Sequence, residues 1–331
     1  MTQPVQPERQ EARLLARLWP TGPVDVAVRV ALAVPLGLAL VALSGVGHRW
    51  FDILAQFTAP ALVATAALTA LLALTRLKAA ALHGLVACAA LMIAAAPQWF
   101  PGGPRPEAGA PVVRLYSANL WARNSNVQAI AASIRAADAD IVVLIELGDA
   151  PAARLDEVLA GYPHRVSTPR IDRSSGAARS VIASRWPLAV IPDRPDGLHA
   201  VGGTVRTPLG ALNVLGVHLT RPWPFKQQWG QIEQAMAIAA IRSDLTGPVV
   251  VAGDFNSVSS ARIGRQLKRD TGLIPAPGFP GTWPSAAPAA AAVTIDQVYA
   301  SPDLAFVSRG LGRPNGSDHR PVVTGITRAA D

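Results

Sequence analysis

Residues 248–257 read PVVVAGDFNS, an apolar, valine-rich run that ends at Gly253 and carries Asp254 and Asn256 at its edge. A short run bounded by glycine and polar residues suits a buried strand. The pattern recurs along the chain: Val112–Ala118, Ile141–Ile145, Ser180–Ala183, Leu212–Val217, Val293–Tyr299 and Pro321–Ile326 are all short apolar runs. Asn126–Ala137 and Phe225–Arg242 have helix-like patterning between them. The region is therefore expected to form one mixed α/β domain, residues 112–328, a size that a single core supports. The Ala/Pro-rich stretch Pro284–Ala292 is expected to be a mobile surface insertion.

The polar residues set this region apart from a generic α/β protein. Asn119, Glu146, His218, Asp254 with Asn256, and Asp318 with His319 all fall at the edges of apolar runs, and Asp296 lies within one. If those edges converge, four carboxylates, two imidazoles and two amides meet in one cleft. Carboxylates a few ångströms apart repel strongly unless a cation or a proton offsets the charge. Hard oxygen ligands without cysteine point to Mg²⁺, or Mn²⁺.

Composition bounds the rest. The chain has 331 residues, 50% of them apolar and 16% charged, which excludes a disordered tail and a small disulfide scaffold. Only Lys78, Lys226 and Lys268 are lysine, so the net charge of +8 is an arginine effect, and diffuse charge does not by itself imply nucleic acid. Cys88 is the only cysteine, which excludes an internal disulfide and a cysteine-ligated zinc site.

The first third is different. Val26–Val46, Ile53–Leu74 and Ala79–Ala96 are apolar stretches, each near the roughly 20 residues that a helix needs to cross a bilayer core. Trp19, Trp50, Phe51, Trp99 and Phe100 flank them, where an interfacial aromatic belt would lie. Arg29, the one charge inside the first stretch, sits a turn from its start, where it can snorkel. Short connectors are expected around His48–Asp52 and Arg76–Lys78. Arg9, Arg13, Arg17, Arg76 and Lys78 against Arg49 place the N-terminus in the cytoplasm. The expected organisation is a cytoplasmic segment (1–25), a three-helix anchor (26–100), a linker (101–111) and an extracytoplasmic domain (112–328).

The ordered set SANLW (Ser117–Trp121), VLIE (Val143–Glu146), GVHL (Gly216–Leu219), GDFNS (Gly253–Ser257), IDQVY (Ile295–Tyr299) and SDHRPV (Ser317–Val322) resembles the endonuclease/exonuclease/phosphatase superfamily, the DNase-I-like hydrolases. The resemblance covers nearly all of Val112–Ile326. It implies a four-layer α/β/β/α sandwich preceded here by three transmembrane helices. It also implies that Glu146, with Asn119 and Asp318, holds the metal ion. By the same resemblance His319 acts as general base oriented by Asp296, Asp254 and Asn256 position the water and the phosphoryl oxygens, and His218 donates to the phosphate. Whether His319 or Asp254 takes the proton stays open, as does the number of metal ions. Some members carry an acidic residue where this chain has Trp121. The layout of spans before the domain is similar to the VanJ-type membrane proteins of glycopeptide resistance in actinomycetes.

Fold does not choose among the family's substrates. A domain held against the outer membrane face meets lipid headgroups at high effective concentration, which favours a lipid-linked phosphate or pyrophosphate. The alternatives are an extracytoplasmic nuclease acting on DNA or RNA, and a non-catalytic membrane sensor. Arg179 and Arg221 are candidates for holding phosphate, with Arg170 and Arg173 nearby and Trp223, Phe225 and Trp229 following. A solvated arginine face over core aromatics is the competing reading. His48, His83, His164, His199 and Cys88 are not assigned chemistry.

Overall fold

The computed structural model describes residues 22–75, 77–172, 178–192, 198, 200–221 and 228–330. Arg9, Arg13, Arg17, Trp19, Arg76, Arg173, His199, Trp223 and Phe225 lie outside the described residues.

The apolar third forms α1 (Pro23–Leu43), α2 (Arg49–Ala55), α3 (Thr58–Ala73) and α4 (Lys78–Trp99). At 21 and 22 residues, α1 and α4 are long and apolar enough to cross a membrane. The middle stretch corrects the expectation of three plain spans: α2 and α3 meet at a 53° bend and pass the same test only as a pair. The expected connector His48–Asp52 is largely the first turn of α2, with the His48 imidazole capping its start by accepting from Trp50 N–H. Arg29 does not stand alone, since its guanidinium lies 2.7 Å from Asp25 one turn away on α1. Helices α3 and α4 pack closely enough that a Cβ on Gly84 would lie 2.2 Å from Thr69 Oγ1.

The domain that follows is built from two six-stranded sheets. The first runs β11 (Leu304–Leu311), β12 (Val322–Arg328), β1 (Val113–Asn119), β2 (Ile141–Gly148), β4 (Ala178–Ser184), β3 (His164–Ser167). The second runs β5 (Leu188–Ile191), β6 (Val201–Thr207), β7 (Gly210–His218), β8 (Val249–Asp254), β10 (Asp296–Ala300), β9 (Ile274–Pro275). Their inner faces bury a core that includes Leu115, Val143, Ile145, Val214, Val250 and Val298. Gly216 lets the sheets approach: a Cβ there would meet Val201 Cγ1 at 2.7 Å and, across the interface, Val143 Cγ1 at 2.9 Å.

Helices cover both outer faces. On the first sheet, α5 (Val127–Ala137) buries Ile130 and Ile134 against Val142, Leu144 and Val181, with α6 (Asp149–Ala153) and α7 (Leu155–Val158) beyond it. On the second, α8 (Trp229–Asp244) and α9 (Arg262–Thr271) bury Ile238, Ile263 and Leu267 against Leu215, Val249 and Tyr299. The expected helix–sheet–sheet–helix order is thus present.

Two parallel crossovers decide where chemistry can sit. β1 pairs in parallel with β2 through α5, and β7 with β8 through α8, so the C-terminal ends of all four strands lie along one rim. β10 runs antiparallel to β8 and starts opposite its end, Asp296 facing Asp254 in register.

Two loop expectations change. Pro284–Ala292 is tied down rather than free: Ser285 N–H donates to Asp318 O at 2.7 Å, Arg320 Nη2 donates to the carbonyls of Ser285 and Ala287, and Ala289–Ala291 make a 3₁₀ turn. The 101–111 segment pairs with the C-terminal strand end, Ala330 N–H donating to Arg105 O at 2.7 Å and Glu107 N–H to Arg328 O at 3.0 Å.

The helical region is docked on this domain through named bonds. Asp52 accepts Arg262 N–H at 2.6 Å and also accepts from Gln228 Nε2. Gly278 N–H donates to Gln98 O at 2.7 Å, and the rings of Trp99 and Phe279 meet edge-on at 5.3 Å.

Candidate active site

Each strand end delivers one polar side chain to the rim. Asn119 ends β1, His218 ends β7, Asp254 ends β8 and Asp296 opens β10. Glu146 sits in a bulge of β2, where the register against β4 slips between Leu144 and Leu147. Together Asn119, Glu146, His218, Asp254, Asn256, Asp318 and His319 line one cleft of about 520 Å³. Asp296 stands behind His319 and is buried.

The backbone is unusual at these positions. Trp121, Glu146 and Asn256 adopt φ of 58°, 55° and 48°, left-handed values that side chains rarely take. All three line the cleft, the kind of clustering that marks functional sites. Gly253 has φ 142°, and a Cβ there would lie 2.0 Å from Val217 O, so the tight turn into Asp254 needs glycine.

A connected set of hydrogen bonds fixes the side chains. Asn119 Nδ2 donates to Asp254 Oδ2 at 3.0 Å, while its Oδ1 accepts Trp121 N–H at 2.9 Å. Asp254 Oδ1 accepts Asn256 N–H at 2.8 Å, and Asn256 Nδ2 donates to Leu219 O at 2.9 Å. His218 lies between two carboxylates, Nδ1 at 3.6 Å from Glu146 and Nε2 at 3.6 Å from Asp254. His319 Nδ1 contacts Asp296 Oδ2 at 2.9 Å, leaving Nε2 at 4.0 Å from Asp254 and 4.0 Å from Asp318.

Burial and charge set the protonation of this group. Burial opposes a charge on His319, but the Asp296 carboxylate, by its charge and its hydrogen bond, and the charges of Asp254 and Asp318 outweigh it, so the imidazole is pushed up to about 10. Burial pushes the Asp254 carboxyl up to about 7, reinforced by Asp296 and opposed by His319. Asp254 is therefore harder to ionise than an ordinary carboxyl, and His319 holds its proton more tightly than an ordinary imidazole.

The donor set suits a hard divalent cation, because Glu146, Asn119, Asp254 and Asp318 bring oxygens into one cleft without sulfur. Among the described residues, Asp254, Asp296 and His319 bring three ligand atoms within 4.8 Å of one another. Within that trio Asp296 is already committed to His319, so it reads as a hydrogen-bonded relay more than as a cage.

Of the two expected phosphate-binding arginines, Arg221 lines the cleft, its guanidinium 5.6 Å from the Trp283 ring centre. Arg179 is not among the cleft-lining residues; it pairs with Leu147 in the sheet. Arg170 is engaged with Asp149 at 3.1 Å and Asp172 at 2.6 Å, which fits the solvated face. Trp229 is 60% exposed and is not a core aromatic.

The structure also adds residues that the motifs do not contain. Gln231, buried on α8, donates to Phe255 O at 2.8 Å and Asn256 O at 3.2 Å and so holds the turn after Asp254. Thr220, Trp283, Val293 and Ile295 line the cleft, and so do Ile53, Gln56 and Phe57 from the bend between α2 and α3. Gln56 had one signal in the sequence, as an amide inside the apolar stretch Ile53–Leu74.

Two face-to-face sheets, helices outside, and a cleft of carboxylates, amides and imidazoles at the strand ends define a hydrolase of phosphoesters. The chain belongs to the endonuclease/exonuclease/phosphatase family, whose family model matches residues 116–319 and whose members are metal-dependent phosphoester hydrolases. Solved structures share the fold. An endonuclease/exonuclease/phosphatase from Beutenbergia cavernae is 22% identical, with 66% of this chain and 72% of that chain covered and a TM-score of 0.53. A family protein from Bacteroides thetaiotaomicron is 17% identical over 67% of this chain and 99% of its own, with a TM-score of 0.54. A mannosyl-6-phosphatase from the same organism is 16% identical over 65% and 99%, with a TM-score of 0.53. A comparison with curated proteins finds no match.

Proposed function

We propose that this chain is a membrane-anchored, Mg²⁺- or Mn²⁺-dependent phosphoester hydrolase that acts at the outer face on a lipid-linked phosphate or pyrophosphate, a relative of the VanJ-type membrane proteins. The observation that carries the reading is the joint construction of the cleft: catalytic-domain residues and residues of the apolar helical segment line the same 520 Å³. A tethered domain would not need that sharing. The outward orientation rests on the sequence, Arg9, Arg13, Arg17, Arg76 and Lys78 against Arg49, with the bent α2–α3 pair taken as one span so that three crossings put the domain outside.

In this reading a water molecule attacks phosphorus in line as the opposite P–O bond breaks. Asp254 takes the water's proton, positioned by Asn119 and Asn256. His319, kept cationic by Asp296, faces the negative charge that builds on the phosphoryl oxygens, and His218 donates from the other side. The leaving oxygen takes up a proton from solvent as the bond breaks, and Asp254 returns its own to solvent. Glu146, with Asn119 and Asp318, would hold the divalent cation, which supplies Lewis-acid charge stabilisation when bound. Arg221 is placed to hold a non-reacting phosphate oxygen.

The test is phosphate release by the full-length protein in detergent, with Mg²⁺ or EDTA, from a polyprenyl pyrophosphate and from DNA, beside His319→Ala. Turnover of the lipid that needs both metal and His319, with DNA left intact, is the expected result. DNA cleavage with the same dependence would instead make the protein a surface nuclease, and silence on both would leave a sensor.

A further inference from the structure

Gln56 sits at the break between α2 and α3, lines the catalytic cleft, and is 5% exposed. Its Nε2 has no hydrogen-bond partner among the described residues and almost no accessible surface, so the amide nitrogen is buried in the lining rather than turned to the cleft.

The neighbours of Gln56 have the opposite character. Ile53 and Phe57 line the same cleft, and Phe57 packs with Trp283 onto a cluster of Ala55, Val258, Ala261, Val293 and Ile295. Val293, Ile295 and Trp283 also face the cleft. One wall is thus apolar and continuous from the catalytic residues to the helical segment, while the other carries Glu146, His218 and Asp254. A small hydrophilic phosphate ester has no use for such a wall. An amphiphile has, because its first carbons can leave the bilayer side without being hydrated.

Resting on the membrane-hydrolase reading above, we infer that the α2–α3 break is part of the substrate site: Ile53 and Phe57 seat the proximal part of a long apolar chain, so that the enzyme selects phosphorylated amphiphiles by their tails. The bend has a structural reason in this scheme. A straight span would carry residues 53–57 past the domain, whereas the break turns Gln56 and Phe57 onto it, and Asp52 locks the turn in place through Arg262 and Gln228.

Full-length protein in detergent, with Mg²⁺, is assayed on farnesyl pyrophosphate and on dimethylallyl pyrophosphate, which share a head group and differ in tail length. The wild type is expected to prefer the long tail by about tenfold or more in kcat/KM, the scale of a few buried methylene groups. Phe57→Ala, and Phe57→Leu should the first fold poorly, are expected to narrow that ratio at least threefold. The ratio does not depend on the fraction of active protein. Leu71→Ala, on the exposed side of α3 at 61% exposure, should leave the ratio as in the wild type.

A wild type indifferent to tail length, or a Phe57 series that keeps the ratio, would overturn the inference and leave the hydrolase reading standing. Hydrolysis of neither substrate would count against the hydrolase reading itself.

Discussion

His319 Nδ1 lies 2.9 Å from Asp296 Oδ2, and that bond leaves Nε2 turned toward Asp254. Both partners are buried, and Asp296 N–H is itself held by Thr282 Oγ1 at 3.2 Å. The carboxylate therefore orients the ring and keeps it charged, acting through His319 rather than on the substrate.

Asp296→Asn preserves shape but removes the charge that sustains the imidazolium. Turnover is expected to fall by about 10²–10⁴-fold with little change in KM, because the loss falls on the transition state. Steady-state kinetics on a soluble phosphoester checks it. A fall in substrate affinity with kcat intact would place Asp296 in binding instead.

Glu146 carries the metal prediction. EDTA is expected to stop hydrolysis and added Mg²⁺ to restore it, with Mn²⁺ as a substitute. Glu146→Gln keeps the acceptor from Ala122 N–H but loses a negative ligand, so half-maximal activity should require roughly 10–100-fold more metal, the scale seen when metal-site partners are removed. Metal titration of activity, with calorimetry of Mg²⁺ binding, tests both points. An unchanged metal requirement would move the ion away from Glu146.

The parts of this protein that were legible in sequence share a physical cause. Strands β1, β2, β4, β7, β8 and β12 lie inside their sheets and bury both faces, so they read as unbroken apolar runs. The strands that the runs did not reveal include β3, β5, β9 and β11, which form the four sheet edges and are half exposed or very short. β6, written VGGTVRT, has too few apolar residues for its alternation to show, and α9, written RIGRQLKRDT, is so polar overall that Ile263 and Leu267, one turn apart, did not read as an apolar run. The site residues were visible because each interrupts or ends an apolar run at a strand end. Phe57 was not, and Gln56 stood out only as an amide inside an apolar stretch, since both read as membrane span and what matters about them is a cleft shared with residues 200 positions or more away, such as Trp283 and Ile295.

Gly253→Ala tests the turn on which Asp254 depends. Its Cβ would meet Val217 O at 2.0 Å at a φ that alanine rarely adopts, and neither backbone can retreat inside a paired sheet. A cost of about 1–3 kcal/mol is expected, read as a lower melting temperature, together with an activity loss greater than the loss of folded protein. An alanine variant that melts and turns over like the wild type would mean the turn relaxes freely.

Asp52→Ala tests whether the helical segment is a working part of the enzyme. Ala261 precedes α9 and has no side chain able to cap it, so Asp52 supplies the cap from another element by accepting Arg262 N–H. The same carboxylate takes Gln228 Nε2, which leads into α8. Alanine leaves both donors unpaired in a site where Asp52 is 4% exposed, a cost of about 1–3 kcal/mol. The melting temperature should fall, and protease cleavage between the helical segment and the domain should quicken. Because α2 carries Ile53 into the cleft, undocking should also reduce kcat/KM for a long-chain pyrophosphate more than for a short-chain one. If the helices were only a tether, the variant would keep the wild-type preference whatever its stability, so the comparison separates an anchor from a wall of the active site.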